Sequence, residues 1–200
     1  MKITAIKLQV RQQGRFSIYV EGKYSFSLSE GALLESKLVV GRELTGAEEK
    51  RFKQLSGDDK LYTMALRYAA MRPRSTWEIE QYLRRKKATP LLSKQILSKL
   101  SNLRMLDDKS FAESWVVNRR LLKPVSHRRL QAELRAKRVP DDIVQAVLAE
   151  DETDEKATLK ELMERKRKQT KYQDPTKLMQ YLARQGFNYD DIKSVLSDEN

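Results

Sequence analysis

The chain has 200 residues, no cysteine and a formal net charge of +12 at pH 7. The lack of cysteine excludes disulfides, thiolate zinc sites and cysteine nucleophiles, and a single histidine, His127, cannot build a histidine-rich metal site. No apolar run approaches the ~18 residues of a membrane helix, and no secretory signal opens the chain, so we expect a cytoplasmic protein without a membrane partner. The positive charge favours an anionic partner, nucleic acid first. It is concentrated in residues 60–149, which hold 20 of the 40 Lys and Arg but only 8 of the 28 Asp and Glu.

The first part of the chain has the pattern of a small sheet covered by helices. Three runs within residues 3–29 alternate apolar and polar side chains, with turns at Gly14 and Gly22, which predicts a three-stranded meander. Such a sheet needs a helix on its apolar face, and residues 30–37 and the capping box that begins at Thr45 predict two candidates. With a break at Ser56-Gly57-Asp58, residues 1–57 are predicted to form a small N-terminal α/β appendage.

The central feature is a motif that occurs twice, 51 residues apart, at residues 72–87 and 123–138. Each copy has a base, a proline, one variable position and a serine, and each ends in L-R-x-K-[KR]. Proline disfavours helix at the preceding residue, and Ser75 and Ser126 are good N-caps, so each motif predicts the end of one helix and the start of the next.

Helical geometry separates the apolar and basic residues of each copy. Aliphatic residues stand four and eight positions after the serine, on one face of the predicted helix: Ile79 and Leu83, then Leu130 and Leu134. The matched bases that point the other way are Arg84 with Arg135 and Lys87 with Arg138. We interpret them as an outward basic ridge, although Lys- and Arg-rich helix faces also occur for solubility alone.

The same helical unit recurs a third time without the ridge. Asp174-Pro175 opens a helix with Leu178 and Leu182 inward, but Ala183 and Gly186 stand where the earlier copies carry bases. We therefore predict a mainly α protein: three tandem three-helix repeats in an elongated array, preceded by the small α/β segment with its β-meander. The predicted repeats are residues 58–104, 105–150 and 151–200.

Several motifs together resemble the RecX family of recombinase regulators. They are A-L-R-Y at 65–68, R-P-R-S at 72–75, L-D-D-x-x-F-A at 106–112, and K-P-x-S with L-x-x-E-L-R at 123–135. Their order and spacing are more specific than any one motif. The chain departs from the family pattern at Arg104-Met105, where the family usually has Gly-Tyr, at Lys86-Lys87-Ala88, which lacks a helix-closing glycine, and at Val125, which replaces a commonly small residue.

The resemblance implies a protein that is not an enzyme, needs no cofactor and binds RecA. Members of the family lie along the groove of the RecA–DNA filament, inhibit its ATPase, strand exchange and co-protease activities, and in some cases bind DNA directly. The implied roles are in DNA recombination, DNA repair and the SOS response. The residues themselves offer no nucleophile–base set and no metal cluster, and no sustained heptad pattern, so we also expect a monomer. The candidate partner-binding residues are basic: Arg72, Arg74, Arg84, Arg85, Lys87, Arg119, Arg120, Lys123, Arg128, Arg129, Arg135, Lys137 and Arg138.

Other interpretations of the same sequence stay open. The protein could be a stand-alone nucleic-acid-binding module, or a scaffold with no anionic partner. Trp77 could anchor a partner or pack against a neighbouring repeat, whereas Trp115 is expected in the core and His127 at a helix start. The R-K-R-K run at 165–168 follows Glu161 and Glu164 at i, i+4 spacing, which favours a solvated helix face.

Overall fold

The computed structural model describes residues 1–197, which contain three β-strands and ten α-helices. They form two compact units. The first contains Met1–Arg72 and Ile79–Leu103, and the second contains Pro73–Glu78 and the chain from Arg104 onward. None of the helices in the described part of the chain is both long and apolar enough to cross a membrane.

The first unit begins with the predicted meander, which is confirmed. Strands β1 (Ile3–Leu8), β2 (Arg15–Val20) and β3 (Lys23–Ser29) pair antiparallel in the order β1-β2-β3. Their apolar face buries Ile18 and Leu28 completely. Two helices follow, α1 (Glu30–Ser36) and α2 (Gly46–Ala70). Phe52 of α2 stacks on Phe26 of β3 with ring centroids 5.7 Å apart, so a helix covers the sheet as its size requires.

The predicted chain break at Ser56-Gly57-Asp58 is wrong at the level of secondary structure, because these residues lie within the 25-residue helix α2. A buried ion pair holds this part of α2 to the sheet. Asp59 accepts hydrogen bonds from the Arg15 guanidinium at 2.8 Å and from the Ser29 amide at 2.8 Å. Helix propensity and these contacts outweigh the cost of about 1 kcal/mol for one glycine in a helix.

The rest of the first unit is helical. Helix α3 (Thr76–Arg85) buries Ile79 and Leu83, and helix α4 (Pro90–Asn102) starts with proline in its first turn after the N-cap Thr89. Tyr68 of α2 stacks on Tyr82 of α3 with ring centroids 4.2 Å apart. The Ile79–Arg85 part of α3 thus belongs to this unit, whereas its first turn belongs to the second.

The second unit holds two more three-helix repeats. Helices α5 (Asp108–Leu122), α6 (His127–Ala136) and α7 (Asp141–Ala149) enclose one apolar core. Helices α8 (Glu155–Arg167), α9 (Pro175–Arg184) and α10 (Tyr189–Ser197) enclose another. Helix α8 ends at Arg167, and a 3-10 turn, Thr170–Tyr172, follows it.

The repeat architecture is therefore confirmed. The elongated arrangement and the exact limits of the four segments stay predictions, and the end of the last segment at residue 200 lies outside the described residues.

The middle helix of each repeat ends in the same way, on a residue with left-handed backbone. These residues are Lys87 (φ 60°), Arg138 (φ 56°) and Gly186 (φ 91°). In each case the next amide returns to a carbonyl five residues earlier, as in Ala88 to Leu83 and Val139 to Leu134. Arg104, where the family usually has glycine, is also left-handed (φ 55°). At Lys87 and Arg104 the chain thus keeps a backbone that suits glycine while placing a basic side chain there.

Candidate binding surface

Helix α6 has the two faces that the sequence predicted. Leu130 and Leu134 are fully buried. The exposed bases of this helix and its C-terminal turn are Arg128, Arg129, Arg135 and Arg138. Helix α3 in the first unit shows the same division, with Ile79 and Leu83 fully buried and Arg84, Arg85 and Lys87 exposed. The first and second repeats therefore each present an outward basic face. One continuous ridge across both repeats stays a prediction.

Arg74 is a correction to the candidate set. It was expected at an exposed joint beside Arg72, but only 9% of it is exposed, whereas Arg72 is exposed as expected. Ser75, the next residue, is fully buried. An arginine so deeply buried is not available to a partner without rearrangement.

Arg119 and Lys137 are a second correction, because both are held in a cluster around Trp115 and Glu133. Arg119 binds the Glu133 carboxylate through two nitrogens, at 2.8 and 2.9 Å, and Trp115 Nε1 donates to the same carboxylate at 3.0 Å. The Lys137 ammonium lies 2.9 Å from Glu78 and 5.3 Å from the Trp115 ring centroid. Trp115 is packed against the core but only partly buried, because its indole N–H reaches this polar cluster.

Arg120 is the third correction, since it binds the buried carboxylate of Asp151. Two of its nitrogens lie 2.9 and 2.6 Å from Asp151 Oδ2, and the third donates to the Val125 carbonyl. His127 Nε2 is 3.0 Å from the same oxygen, so the predicted helix-start residue also joins the cluster. Burial raises the pKa of Asp151, but hydrogen bonds from Thr153 and the bond and charge of Arg120 outweigh it, so the pKa lies below its ordinary value.

The remaining candidates differ in how firmly they are paired. Arg129 and Arg135 form single ion pairs, with Glu133 at 3.3 Å and Asp141 at 2.8 Å, and each arginine side chain is about half exposed. Such exposed pairs contribute roughly 0–1 kcal/mol, so an incoming anion can replace them. Within residues 1–197, five exposed candidates form no ion pair: Arg85, Lys87, Lys123, Arg128 and Arg138.

The two motif serines do more than cap helices, which the sequence did not reveal. Ser75 Oγ donates to the Lys137 carbonyl at 2.9 Å, and Ser126 Oγ donates to the Gln185 carbonyl at 3.2 Å. Both carbonyls end the middle helix of the next repeat, one residue before its left-handed residue. Each serine also accepts from the amide three residues later, as a cap should.

A second hydrogen bond accompanies each serine. The Thr76 amide donates to the Asp108 carboxylate at 2.8 Å, and the His127 amide donates to the Glu155 carboxylate. Asp108 and Glu155 are the first residues of α5 and α8, the opening helices of the next repeats. We call the two sets the first joint (Ser75, Thr76, Asp108, Lys137) and the second joint (Ser126, His127, Glu155, Gln185). The repeated P-x-S motif and an acid in the first turn of each following helix were the available signal.

Trp77 and the R-K-R-K run complete the sequence candidates. Trp77 is half-buried, and its predicted role as anchor or packing residue stays open. Within the basic run, Lys166 lies over two rings, 5.5 Å from Tyr172 and 4.8 Å from Tyr181, while its three neighbours are exposed. Across the described residues no group of three or more His, Cys, Asp or Glu side chains could hold a metal ion.

Models of known protein families match four parts of this chain. They are the regulatory protein RecX N-terminal domain at residues 1–45 and the first, second and third RecX three-helix domains at residues 62–100, 107–148 and 153–196. A solved structure described as regulatory protein RecX superposes with a TM-score of 0.73 and 25% identity over 98% of both chains. A RecX structure from Lactobacillus salivarius gives a TM-score of 0.58, covering 71% of this chain and 96% of that one.

Curated relatives point to the same family. A regulatory protein RecX from Listeria monocytogenes is 30% identical over 203 residues, covering 99% of this chain and 76% of that protein. One from Lactobacillus johnsonii is 32% identical over 153 residues, which is 76% of this chain but only 56% of that protein. Together, the four matched segments, these identities and the superposed structures show that the chain belongs to the RecX family of regulatory proteins.

Proposed function

We propose that this protein is a negative regulator of the RecA recombinase that binds along the RecA–DNA filament and lowers its ATPase, strand exchange and co-protease activities. The observation that carries the proposal is the matched exposed basic face on α3 and α6, which lies opposite fully buried Ile79, Leu83, Leu130 and Leu134. Its relatives are named regulatory proteins, which agrees with a role in binding and not in catalysis. Control of recombination, DNA repair and the SOS response in the cytoplasm would follow from this activity.

The proposed binding surface consists of the exposed bases. Arg85, Lys87, Lys123, Arg128 and Arg138 form no ion pair with the described part of the chain, so they would meet an anionic surface without first breaking one. Arg129 and Arg135 add two bases whose exposed pairs are weak. Arg72 and Arg84 are exposed members of the same set. Because each contact is modest, binding at several repeats would gain strength through effective concentration along a polymer.

The proposed mechanism is mechanical. A chain of repeats that contacts several RecA subunits as a monomer would oppose the subunit movements that accompany ATP turnover, or occlude the path of the second DNA strand. Neither route requires a cofactor or a catalytic group.

The test compares two triple variants in a RecA–single-strand DNA ATPase titration. One removes ridge cations, Arg128→Ala, Arg135→Ala and Arg138→Ala. The matched control removes three exposed cations elsewhere, Lys50→Ala, Lys60→Ala and Lys160→Ala. We expect the ridge variant to need at least ~10-fold more protein for half inhibition, since each lost contact to an anion weakens binding modestly. The control should inhibit as the unaltered protein does.

Salt dependence separates this function from that of a stand-alone nucleic-acid-binding protein. If contacts to naked DNA dominate, the logarithm of affinity falls with the logarithm of salt concentration by about 0.7–0.9 for each neutralised phosphate. If contacts to RecA dominate, that slope is shallow and RecA is required for tight binding. Unchanged ATPase in the presence of saturating unaltered protein would contradict the proposed function.

A further inference from the structure

A groove runs along α2 in the first unit. Two adjoining depressions of about 620 and 690 Å³ share Ala32, Glu35, Leu55 and Asp58, which form the centre of the groove. The α2 residues that line it recur at helical spacing from Glu48 to Tyr62, about 20 Å along the helix axis. We call this surface the α2 groove.

The groove has an apolar floor that the fold leaves uncovered. Leu55 is 37% exposed and Leu91 69% exposed, and the half-buried Leu92 and Tyr62 line the same end. The length suits about six residues of an extended segment or four turns of a helix.

Its charges alternate along its length. Glu35 and Asp58 both line the centre, and within residues 1–197 neither forms an ion pair, although Asp58 accepts a hydrogen bond from the Gln54 side chain at 2.9 Å. Bases stand at both ends: Arg51 at one, beside the ion pair of Arg42 with Glu48 at 3.2 Å, and Lys94 and Lys99 at the other. Asp59, beside them, is already bound by Arg15 and Ser29, so it contributes no free carboxylate.

The order of charges along the α2 groove indicates which kind of chain segment would bind there. A segment that carries a Lys or Arg between apolar residues, with acidic residues towards its ends, would place a cation on Glu35 and Asp58 and apolar side chains on Leu55 and Leu91. Nucleic acid does not fit, because its phosphates would face the two carboxylates at the centre. A small molecule is less suited, because the free polar groups lie at the exposed surface and none converges in a closed cavity.

We propose that the α2 groove is a docking site for such a segment of the regulated protein, which under the proposed function is RecA. This inference rests on the proposed function and adds a second kind of contact to it. The basic faces bind the nucleoprotein filament through charge, while the α2 groove recognises protein alone. The α2 groove then supplies a selectivity for RecA that a basic helical face lacks.

The experiment compares two charge-reversing double variants. Glu35→Lys with Asp58→Lys reverses the centre of the groove, and Glu161→Lys with Glu164→Lys makes the same change in net charge on the exposed face of α8. Labelled protein is titrated with RecA–single-strand DNA filaments and, in parallel, with naked single-strand DNA, after circular dichroism has shown native helix content.

We expect the groove variant to bind filaments about 10-fold more weakly than the α8 variant, while both bind naked DNA equally well. Equal binding of the two variants to filaments would overturn the docking site and leave the proposed function intact. If the unaltered protein itself fails to bind RecA, both proposals fail, and that outcome is distinct from the first.

A cross-linking measurement tests the site without altering its charge. A benzophenone side chain is placed at Leu55 in the groove or, as the control, at Leu34, which is 73% exposed on α1 and does not line the groove. We expect a RecA adduct from position 55 only, on a peptide with a Lys or Arg between apolar residues. Equal adducts from both positions, or none from position 55, would contradict the proposal.

Discussion

The two joints of the second unit use the same hydrogen bonds but different residues at their tightest point. In the first joint the left-handed residue after the accepting carbonyl is Arg138, which carries a side chain into solvent. In the second joint it is Gly186, where an added Cβ would stand 2.4 Å from Ser126 Oγ and 2.9 Å from Arg129 Cβ. The same joint therefore accepts an arginine in one place and only a glycine in the other.

The comparison explains why the third repeat lacks the base that closes the motif in the first two repeats. The position that carries Lys87 and Arg138 in the first two repeats is Gly186 in the third, and the close approach of Ser126 and Arg129 leaves no room for a side chain. The absence of a base there is thus a packing requirement, whereas Ala183 in place of Arg84 and Arg135 has no such constraint, since it is exposed.

The largest expected effect is at the second joint. Gly186→Ala forces a Cβ against Ser126 and Arg129 and places alanine at φ 91°, so we expect it to lower the free energy of unfolding by roughly 3 kcal/mol. Gly57→Ala is the matched control, because its added Cβ meets nothing within 4 Å and it lies inside α2. The control should raise the free energy of unfolding by about 0.5–1 kcal/mol. Both are measured by chemical denaturation.

A double-mutant cycle sharpens this result. If steric contact with Ser126 causes the loss, Ser126→Ala combined with Gly186→Ala should cost less than the sum of the two single changes. Additive losses would instead show that the strained backbone at residue 186 or the contact with Arg129 accounts for the effect.

The next largest effect depends on pH and concerns the second joint, because His127 of that joint contacts Asp151. Asp151→Asn leaves Arg120 without its carboxylate, and we expect a loss of about 2 kcal/mol at pH 7. The pKa of Asp151 is lowered in the folded state, so its stabilisation is full above the unfolded pKa near ~3.9 and is lost as pH falls through the folded pKa. The difference between variant and unaltered protein should therefore shrink below about pH 4.

Asp142→Asn provides the control for that measurement. Asp142 is exposed in the first turn of α7, so its substitution should change stability by no more than about 0.5 kcal/mol at pH 7. A loss for Asp151→Asn that does not diminish in acid would show that shape, and not charge, stabilises the cluster.

The smallest expected effect is at the first joint, and it is an increase in the free energy of unfolding where the effects above are decreases. Arg138→Gly relieves a left-handed arginine, and we expect the free energy of unfolding to rise by roughly 0.5 kcal/mol while filament binding weakens. Arg135→Gly removes the same charge from the last turn of α6, where glycine should cost about 1 kcal/mol. A ridge function predicts weaker binding for both variants, despite their opposite effects on stability. Unchanged filament binding by Arg138→Gly would remove this residue from the ridge.

The sequence predicted the elements well where local rules decide them. Proline in the first turn, serine or aspartate N-caps and paired aliphatic residues four apart located the middle helices α3, α6 and α9, because these signals act within one turn of helix. Alternation located the sheet for the same reason. The break expected at Gly57 was wrong because the contacts of Asp59 with Arg15 and Ser29, which bind α2 to the sheet, are distant in sequence.

The candidate binding residues show the same contrast between local rules and contacts that are distant in sequence. The sequence by itself determined which bases stand opposite the buried Leu130 and Leu134, since that depends only on helical period. Only the tertiary structure decided that Arg74 is buried and that Arg119, Arg120 and Lys137 hold internal carboxylates, because their partners lie 14 to 59 residues away. A basic residue looks the same in sequence whether it faces solvent or a buried carboxylate, and only packing between distant segments distinguishes the two.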